Sequence, residues 1–500
     1  MGAPCAGLTA VFRVGVSALL LCLSAAPTVF TTQALPLTGA RRSNLPYVAV
    51  RSIVDALPRD RIPADLRSKT PAARESAWPD WVAGRDRDIR ARLALGDEDS
   101  IFNLTLFGTT FTNQRPLTER DIADTADGRA MPDIVRLRIR DLIQGLATPG
   151  TNERLDFARV VARRQPIDLA APDAERRLRD WLEKGIARVV AEYGRHADLV
   201  DGPASSDADR ATLFRDRGLS SDTSIFPGFG IEQTLAVLMA NSLVAAGSVH
   251  RVAIVGPGLD FADKRQGYDF YPVQTIQPFA VIDSLIRLGL ASPGQIRVTT
   301  FDVSPRVNQH LEGARQRADV GGAYLLNLPQ RTDLFRWSPY LVSYWANLGD
   351  RIGTAIPPAA APPDTVPVKM RTVHVRADIV KAIVPDDLNI VVQRLDPLAS
   401  GDLFDLIIAT NVLVYYDVFE QSLALSNVGT MLRPGGLFLS NQVVQPLPSI
   451  PMEMLGHTDV PMELAAASNN GRPSKPVGDR FFSYRRLSSP AVSGAAGRNP

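Results

Sequence analysis

Residues 404–417 read FDLIIATNVLVYYD: an apolar run from Phe404 to Ala409, then Thr410-Asn411, then Tyr415-Tyr416 closed by Asp417. Helical spacing follows to about Met431. Leu432-Arg433-Pro434-Gly435-Gly436 then leads into GLFLSN (436–441). Pro and paired glycines stop a helix and turn the chain into a new strand. An apolar run without alternation belongs to a strand covered on both faces, which is the habit of parallel sheets.

Working outward, the same texture begins near Arg251. Short β-rich runs alternate with helical stretches: RVAIVG (251–256), a helix from Pro278 to Leu290, QIRVTTFD (295–302), LNIVVQRLD (388–396) as a third strand, and LFDLIIAT (403–410). Strands and helices alternating at this spacing imply βαβ units. The expected fold class is α/β, a doubly wound and mostly parallel sheet. The Pro/Ala-rich stretch 357–367, within the interruption before the third strand, reads as a flexible surface loop.

The strand ends carry the chemistry. The first ends in Gly256-Pro257-Gly258-Leu259-Asp260, glycines placed where a sharp turn lets backbone N–H groups approach a ligand. A tight turn with no ligand reads the same. Phe261 stands where the dinucleotide fingerprint GxGxxG needs its third glycine, which argues against NAD. The second strand ends in Asp302-Val303-Ser304-Pro305. A carboxylate there can accept both hydroxyls of a ribose, or Asp302 or Ser304 can simply cap the following helix.

Together, GPGLD, DVS, FDLIIATNVL and LRPGG resemble the class I S-adenosylmethionine-dependent methyltransferases. The block NVLVYYD–helix–LRPGG is similar to the chemotaxis-receptor glutamate methyltransferases. The resemblance covers about residues 230–445. It implies S-adenosyl-L-methionine as cofactor, with Gly256, Pro257, Gly258 and Asp260 at its methionine end and Asp302 on the ribose. Val303 would lie against the adenine, with Leu395 and Asp396 at the adenine amino group. Asn411 would face the reacting methyl and, with Tyr415, form the catalytic pair; Tyr416 would also line the acceptor side. Packing under the next helix accounts equally for the tyrosines.

Methyl transfer from a sulfonium is an in-line displacement, so alignment matters most and can supply about 7–11 kcal/mol. A carboxylate acceptor needs no base, whereas an amine or phenol does. His250 and His310 sit away from the motifs, so O-methylation of a small molecule or a protein carboxylate is expected; nothing in the sequence chooses between them, or excludes a lipid. The 17-residue insertion 261–277 displaces the first helix from its usual place at the methionine end. Its Tyr268, Phe270 and Tyr271 form either a lid over the acceptor or a surface loop.

Composition bounds the rest. In 500 residues, 55 Lys+Arg nearly balance 53 Asp+Glu, which removes the basic surface that nucleic-acid binding relies on. The two cysteines, Cys5 and Cys22, are N-terminal and the five histidines are scattered, so no metal site is expected. Arg13 and the apolar run from Val14 to Ala26, then small residues, read as a secretory leader. An uncleaved anchor over residues 14–34, retained at the cytoplasmic face where the cofactor is found, is the alternative. The expected organisation is a leader or anchor (1–44), a helical domain (45–225), an α/β domain (226–487, with insertions 261–277 and 315–385) and a disordered tail (488–500). Within the helical part, Asp97–Ser100 reads as the cap of a helix through IFNLTLF, and amphipathic helices are expected around Val135–Leu146 and Asp173–Tyr193. Two other functions fit a leader or this scaffold: an exported, non-catalytic binding or structural protein with a degenerate methyltransferase fold, and an aminopropyl transferase. Intact Gly256, Gly258, Asp302 and Asn411 favour methyl transfer.

Overall fold

The computed structural model describes residues 41–126, 131–168, 170–201, 217–261, 268–332, 337–361, 367–463 and 478–488. Residues 1–40 of the expected leader or anchor, almost all of the expected tail, and residues 262–267 of the insertion lie outside them; Arg42–Asn44, expected to belong to the leader or anchor, form a strand. Among the described residues, no helix is long and apolar enough to cross a membrane.

Seven strands form the main sheet: β1 (Arg251–Val255), β2 (Arg297–Phe301), β3 (Ile383–Asp386), β4 (Phe404–Ala409), β5 (Leu432–Ser440), β6 (Met452–Pro461) and β7 (Gly478–Arg486). Their order is β3-β2-β1-β4-β5-β7-β6. The first five strands run parallel, and β7 and β6 add an antiparallel edge. The chain order reverses between β1 and β4, and that crevice at the carboxyl edge is where open α/β sheets bind ligands.

Side chains two apart share a face of a strand, and here both faces are buried. Val252 and Ile254 of β1, Leu406 and Ile408 of β4, and Leu437 and Leu439 of β5 enter one core with helices Phe226–Ala240, Gln277–Arg287 and Pro305–Asp319. Their neighbours Ala253, Val255, Ile407, Ala409 and Phe438 enter a second core with helices Tyr47–Ala56 and Val418–Met431. The α/β class read from the sequence is the one observed.

The third strand is a correction. Residues 388–396 do not join the main sheet; β3 is Ile383–Asp386, paired with β2 from Val298↔Ile383 to Phe301↔Asp386. Pro385 is accommodated because β3 is an edge strand. Leu388, Ile390, Val391 and Val392 form buried turns in the second core, where Asn427 Nδ2 donates to the Ile390 carbonyl at 2.8 Å. Only Gln393–Leu395 is extended, pairing antiparallel with Arg42–Asn44. An apolar run buried in turns carries the same composition as a buried strand, and the proline disguised the real one.

The interruption between β2 and β3 is largely folded. Tyr324–Arg331, Gly353–Ile356 and Val368–Val375 make a three-stranded antiparallel sheet, and Pro339–Asn347 a helix. Leu326, Leu328, Val373 and Val375 attach this unit to the first core.

The helices of the N-terminal part and the sheet lie in one compact unit, Pro36–Pro500. Residues from Leu45 to Ile89 share the second core with the sheet, whereas Ile101 to Val190 build a third around Phe102, Leu142 and Ile186. The expected cap at Asp97–Ser100 is not a helix start. One helix runs from Pro71 to Phe107, capped by Thr70, and Asp99 and Ser100 are buried within it. Asp99 there pairs with Arg188. The helices expected from Val135–Leu146 and Asp173–Tyr193 are Asp133–Ala147 and Ala174–Asp201.

Arg154, 2% exposed, joins this helical part to the insertion after β1. Its guanidinium donates to the carbonyls of Phe261 (2.6 Å), Asp269 (2.9 Å), Tyr271 (2.6 Å) and Asp260 (3.3 Å). Asp269 in turn accepts from Thr109 N–H at 2.8 Å and Thr110 Oγ1 at 2.7 Å. Tyr268 and Tyr271 are buried, so the described part of the insertion is neither a free lid nor a surface loop. Arg154→Leu strands several buried carbonyls, each worth about 1–3 kcal/mol when left unsatisfied. Denaturant unfolding of the variant is expected to show a loss of about 2–4 kcal/mol; a change below about 0.5 kcal/mol contradicts this role.

Candidate functional site

The loops after β1, β2, β3 and β4 meet at the carboxyl edge around a cleft of about 690 Å³, measured out to its open mouth.

After β1, Gly256 and Gly258 have φ of +66° and +65°, values that other L-residues adopt only under strain. A Cβ on Gly256 would lie 2.4 Å from Val412 Cγ2, and one on Gly258 would lie 2.8 Å from the Ser221 carbonyl oxygen. The chain's own packing therefore demands both glycines, and the same turn forms one wall of the cleft. Gly256 N–H donates to the Phe301 carbonyl at 2.8 Å, tying the turn to the end of β2.

Asp302 follows β2, its N–H donating to the Asp386 carbonyl at 3.2 Å. Its carboxylate accepts the N–H of Ser304 at 2.8 Å. The side chain sits beside the Gly256–Gly258 turn in the cleft wall and does not cap the following helix, whose N-cap is Ser304. Burial pushes the Asp302 carboxyl up to about 7, an effect that the Ser304 N–H pulls against; the negative charge of Asp387 adds to the rise, and the Arg306 guanidinium and the nearby Gly258 backbone oppose it.

Val303, half-buried, faces the turn after β3, where Leu388, Asn389 and Ile390 line the cleft. Asn389 is held by Asp86 of the long helix, which accepts from its Nδ2 at 2.8 Å. Leu93 of that helix and the segment Leu219–Thr223 close another side. After β4 come Thr410, Asn411 and Val412, then Tyr415 and Tyr416. Burial raises both phenols above their ordinary pKa, so at neutral pH they are uncharged groups, not bases. Helix Gln277–Arg287 begins against this tip despite the insertion, Gln277 Nε2 donating to Thr410 Oγ1 at 2.7 Å.

Of the residues singled out in the sequence, Gly256, Gly258, Asp302, Val303, Asn411, Tyr415 and Tyr416 line this one cleft. Pro257 is buried behind the turn. Asp260 belongs elsewhere: it accepts from Tyr271 Oη (2.9 Å) and Gln274 Nε2 (2.8 Å) and lines a separate small pocket with Tyr268 and Ile276. Leu395 and Asp396 are also outside. Leu395 pairs with Arg42 and donates its N–H to Met431 Sδ at 3.4 Å, while Asp396 holds the Arg394 guanidinium at 2.8 Å. The role expected of them at the third strand passes to Leu388–Ile390, because the true strand ends at Asp386, ten residues before the end of the segment read for it. Proline in IVPD was the signal for an edge strand there. No local signal marks Leu93 or Leu219–Thr223, which reach the cleft only through tertiary packing.

No family model matches the sequence, and neither does any curated relative. Among solved structures the chain is similar to the N-methyltransferase NodS from Bradyrhizobium japonicum WM9, at 15% identity over 53% of this chain and 100% of that one, TM-score 0.24. It is similar to a TehB-like SAM-dependent methyltransferase from Corynebacterium glutamicum ATCC 13032, at 10% identity over 53% and 90%, TM-score 0.23. A third is the magnesium protoporphyrin IX methyltransferase ChlM from Synechocystis PCC 6803 with bound SAM, at 9% identity over 59% and 90%, TM-score 0.23. Values this low leave the chemistry to be read from this chain's own residues.

The raised carboxyl has a consequence for stability. Asp302 titrates near 7 in the fold and near 3.8 when unfolded, so the folded state holds the extra proton between those values. Its destabilising effect is absent below about pH 4 and complete above about pH 7. Asp302→Asn is therefore expected to gain stability on the wild type as pH rises from 4.5 to 8, by about 1–3 kcal/mol. Thermal unfolding across that range checks this, and a pH-independent difference contradicts it.

Proposed function

We propose that the chain is an S-adenosylmethionine-dependent methyltransferase whose cofactor occupies the cleft between β1 and β4. The observation that carries the reading is the Asp302 carboxylate, set at the tip of β2 beside the Gly256–Gly258 turn and under-solvated enough to titrate near 7. A carboxylate short of water gains most from a ligand that brings two hydroxyls, as a ribose does. The apolar side chains of Val303, Leu388 and Ile390 beside it suit the faces of an adenine. Toward β4, Asn411 and Thr410 offer polar groups to the amino-acid end.

When bound, the cofactor supplies a methyl group activated by a sulfonium. The work left to the protein is alignment: the turn and Asp302 fix one partner, and the space by Tyr415 and Asn411 admits the other. Among the described residues lining the cleft there is no histidine, and Tyr415 and Tyr416 stay neutral. That favours an acceptor already able to attack, and so O-methylation of a carboxylate on a small molecule or a protein.

Full-length protein is expected to bind S-adenosylmethionine and S-adenosylhomocysteine by calorimetry. Asp302→Ala is expected to weaken both by about 1.5–3 kcal/mol, the scale of charge-assisted hydrogen bonds. Because the ligand prefers the ionised carboxylate, affinity should fall as pH drops below about 7, by up to about tenfold per unit. No heat and no competition by S-adenosylhomocysteine would refute the assignment.

A further inference from the structure

At the tip of β4, Asn411 has a backbone φ of +58°, in the left-handed region. Two hydrogen bonds hold it there. Asn411 N–H donates to Asn441 Oδ1 at 2.8 Å, and Asn441 Nδ2 donates back to Asn411 Oδ1 at 2.6 Å. The remaining hydrogen of Asn441 Nδ2 goes to Asp479 Oδ2 at 2.9 Å.

Donor and acceptor counting fixes the polarity of this chain. An ionised carboxylate only accepts, so Asp479 requires the NH₂ end of Asn441. The Asn411 N–H requires its oxygen end. Asn441 is thereby oriented from both sides, and it donates to Asn411 Oδ1. Among the described residues no group accepts from Asn411 Nδ2. Asn411 lines the cleft, whereas Asn441 and Asp479 do not.

We propose that Asn441 and Asp479 are positioning residues that present Asn411 as a hydrogen-bond donor to the amino-acid carboxylate of an adenosyl ligand. The inference rests on the methyltransferase reading. It follows from the order of the strands: with adenine on the β3 side and ribose at Asp302, the amino-acid end falls toward β4. Were the Asn411 amide turned over, its oxygen would face that carboxylate and repel it. The clamp therefore makes the cleft prefer adenosyl compounds that carry the amino acid to those that lack it.

The test compares S-adenosylhomocysteine with 5′-methylthioadenosine, which has no amino-acid group, by calorimetry on the full chain. Asn441→Leu is expected to weaken S-adenosylhomocysteine tenfold or more and 5′-methylthioadenosine less than threefold. Asp479→Asn, a near-isosteric change of a partly exposed side chain, is expected to give a smaller loss, about threefold, with the same selectivity. Equal losses for both ligands, or none for either in both variants, overturn the proposal while leaving the cofactor assignment standing. Wild-type protein that binds neither ligand overturns the assignment and this proposal with it.

Discussion

The carboxylate of Asp302 accepts the backbone N–H of Ser304 and lies in the cleft wall beside the Gly256–Gly258 turn, which Gly256 N–H ties to the end of β2 through the Phe301 carbonyl. That juxtaposition sets the geometry of the carboxyl edge. It requires the β1 loop to turn back sharply, which the positive φ of Gly256 and Gly258 permits. The turn in turn brings Gly256 so close to Val412, and Gly258 so close to Ser221, that no side chain fits at either position. A half-buried carboxylate loses hydration that hydrogen bonds must replace, and the Ser304 N–H leaves it capacity to accept more. Desolvation raises its pKa accordingly. A ligand hydroxyl pair would relieve it, so stability given up in the free protein is available for binding.

How much of this could be read from the sequence follows from how local each signal is. The strands RVAIV, RVTTF and FDLIIA announce themselves because burial on both faces draws apolar and β-branched residues to consecutive positions. The turn glycines and Asp302 follow from strand ends and need no tertiary knowledge. Residues 388–396 misled because Leu388, Ile390, Val391 and Val392 are as buried as any strand while lying in turns. Asp260 misled because proximity in sequence to a cleft residue does not fix direction. Tyr271 and Gln274, eleven and fourteen residues on, draw its carboxylate to the other side of the turn.

The least legible part is the contribution of the N-terminal helices. Helix Pro71–Phe107 carries a row of arginines toward the carboxyl edge of the sheet. Arg85 pairs with Glu420, Arg90 reaches Asp387 at 2.7 Å and the Val303 carbonyl at 3.4 Å, and Arg92 reaches the Tyr415 carbonyl at 2.9 Å. Nothing local in the sequence sets these arginines apart from the many others in residues 45–225. In the fold they touch the tips of β2, β3 and β4, so that this helix furnishes one side of the cleft through Leu93. The long range of these contacts, more than 200 residues apart in the chain, is why no pattern in either segment foretells them.

One crystal structure bears most directly on the account: the full chain with S-adenosylhomocysteine, examined for what the carboxylate at position 302 touches. The account predicts both ribose hydroxyls within hydrogen-bonding distance of that carboxylate, with adenine between Val303 and Ile390. A nucleoside bound elsewhere, or lying in the cleft with its hydroxyls turned away from Asp302, contradicts it.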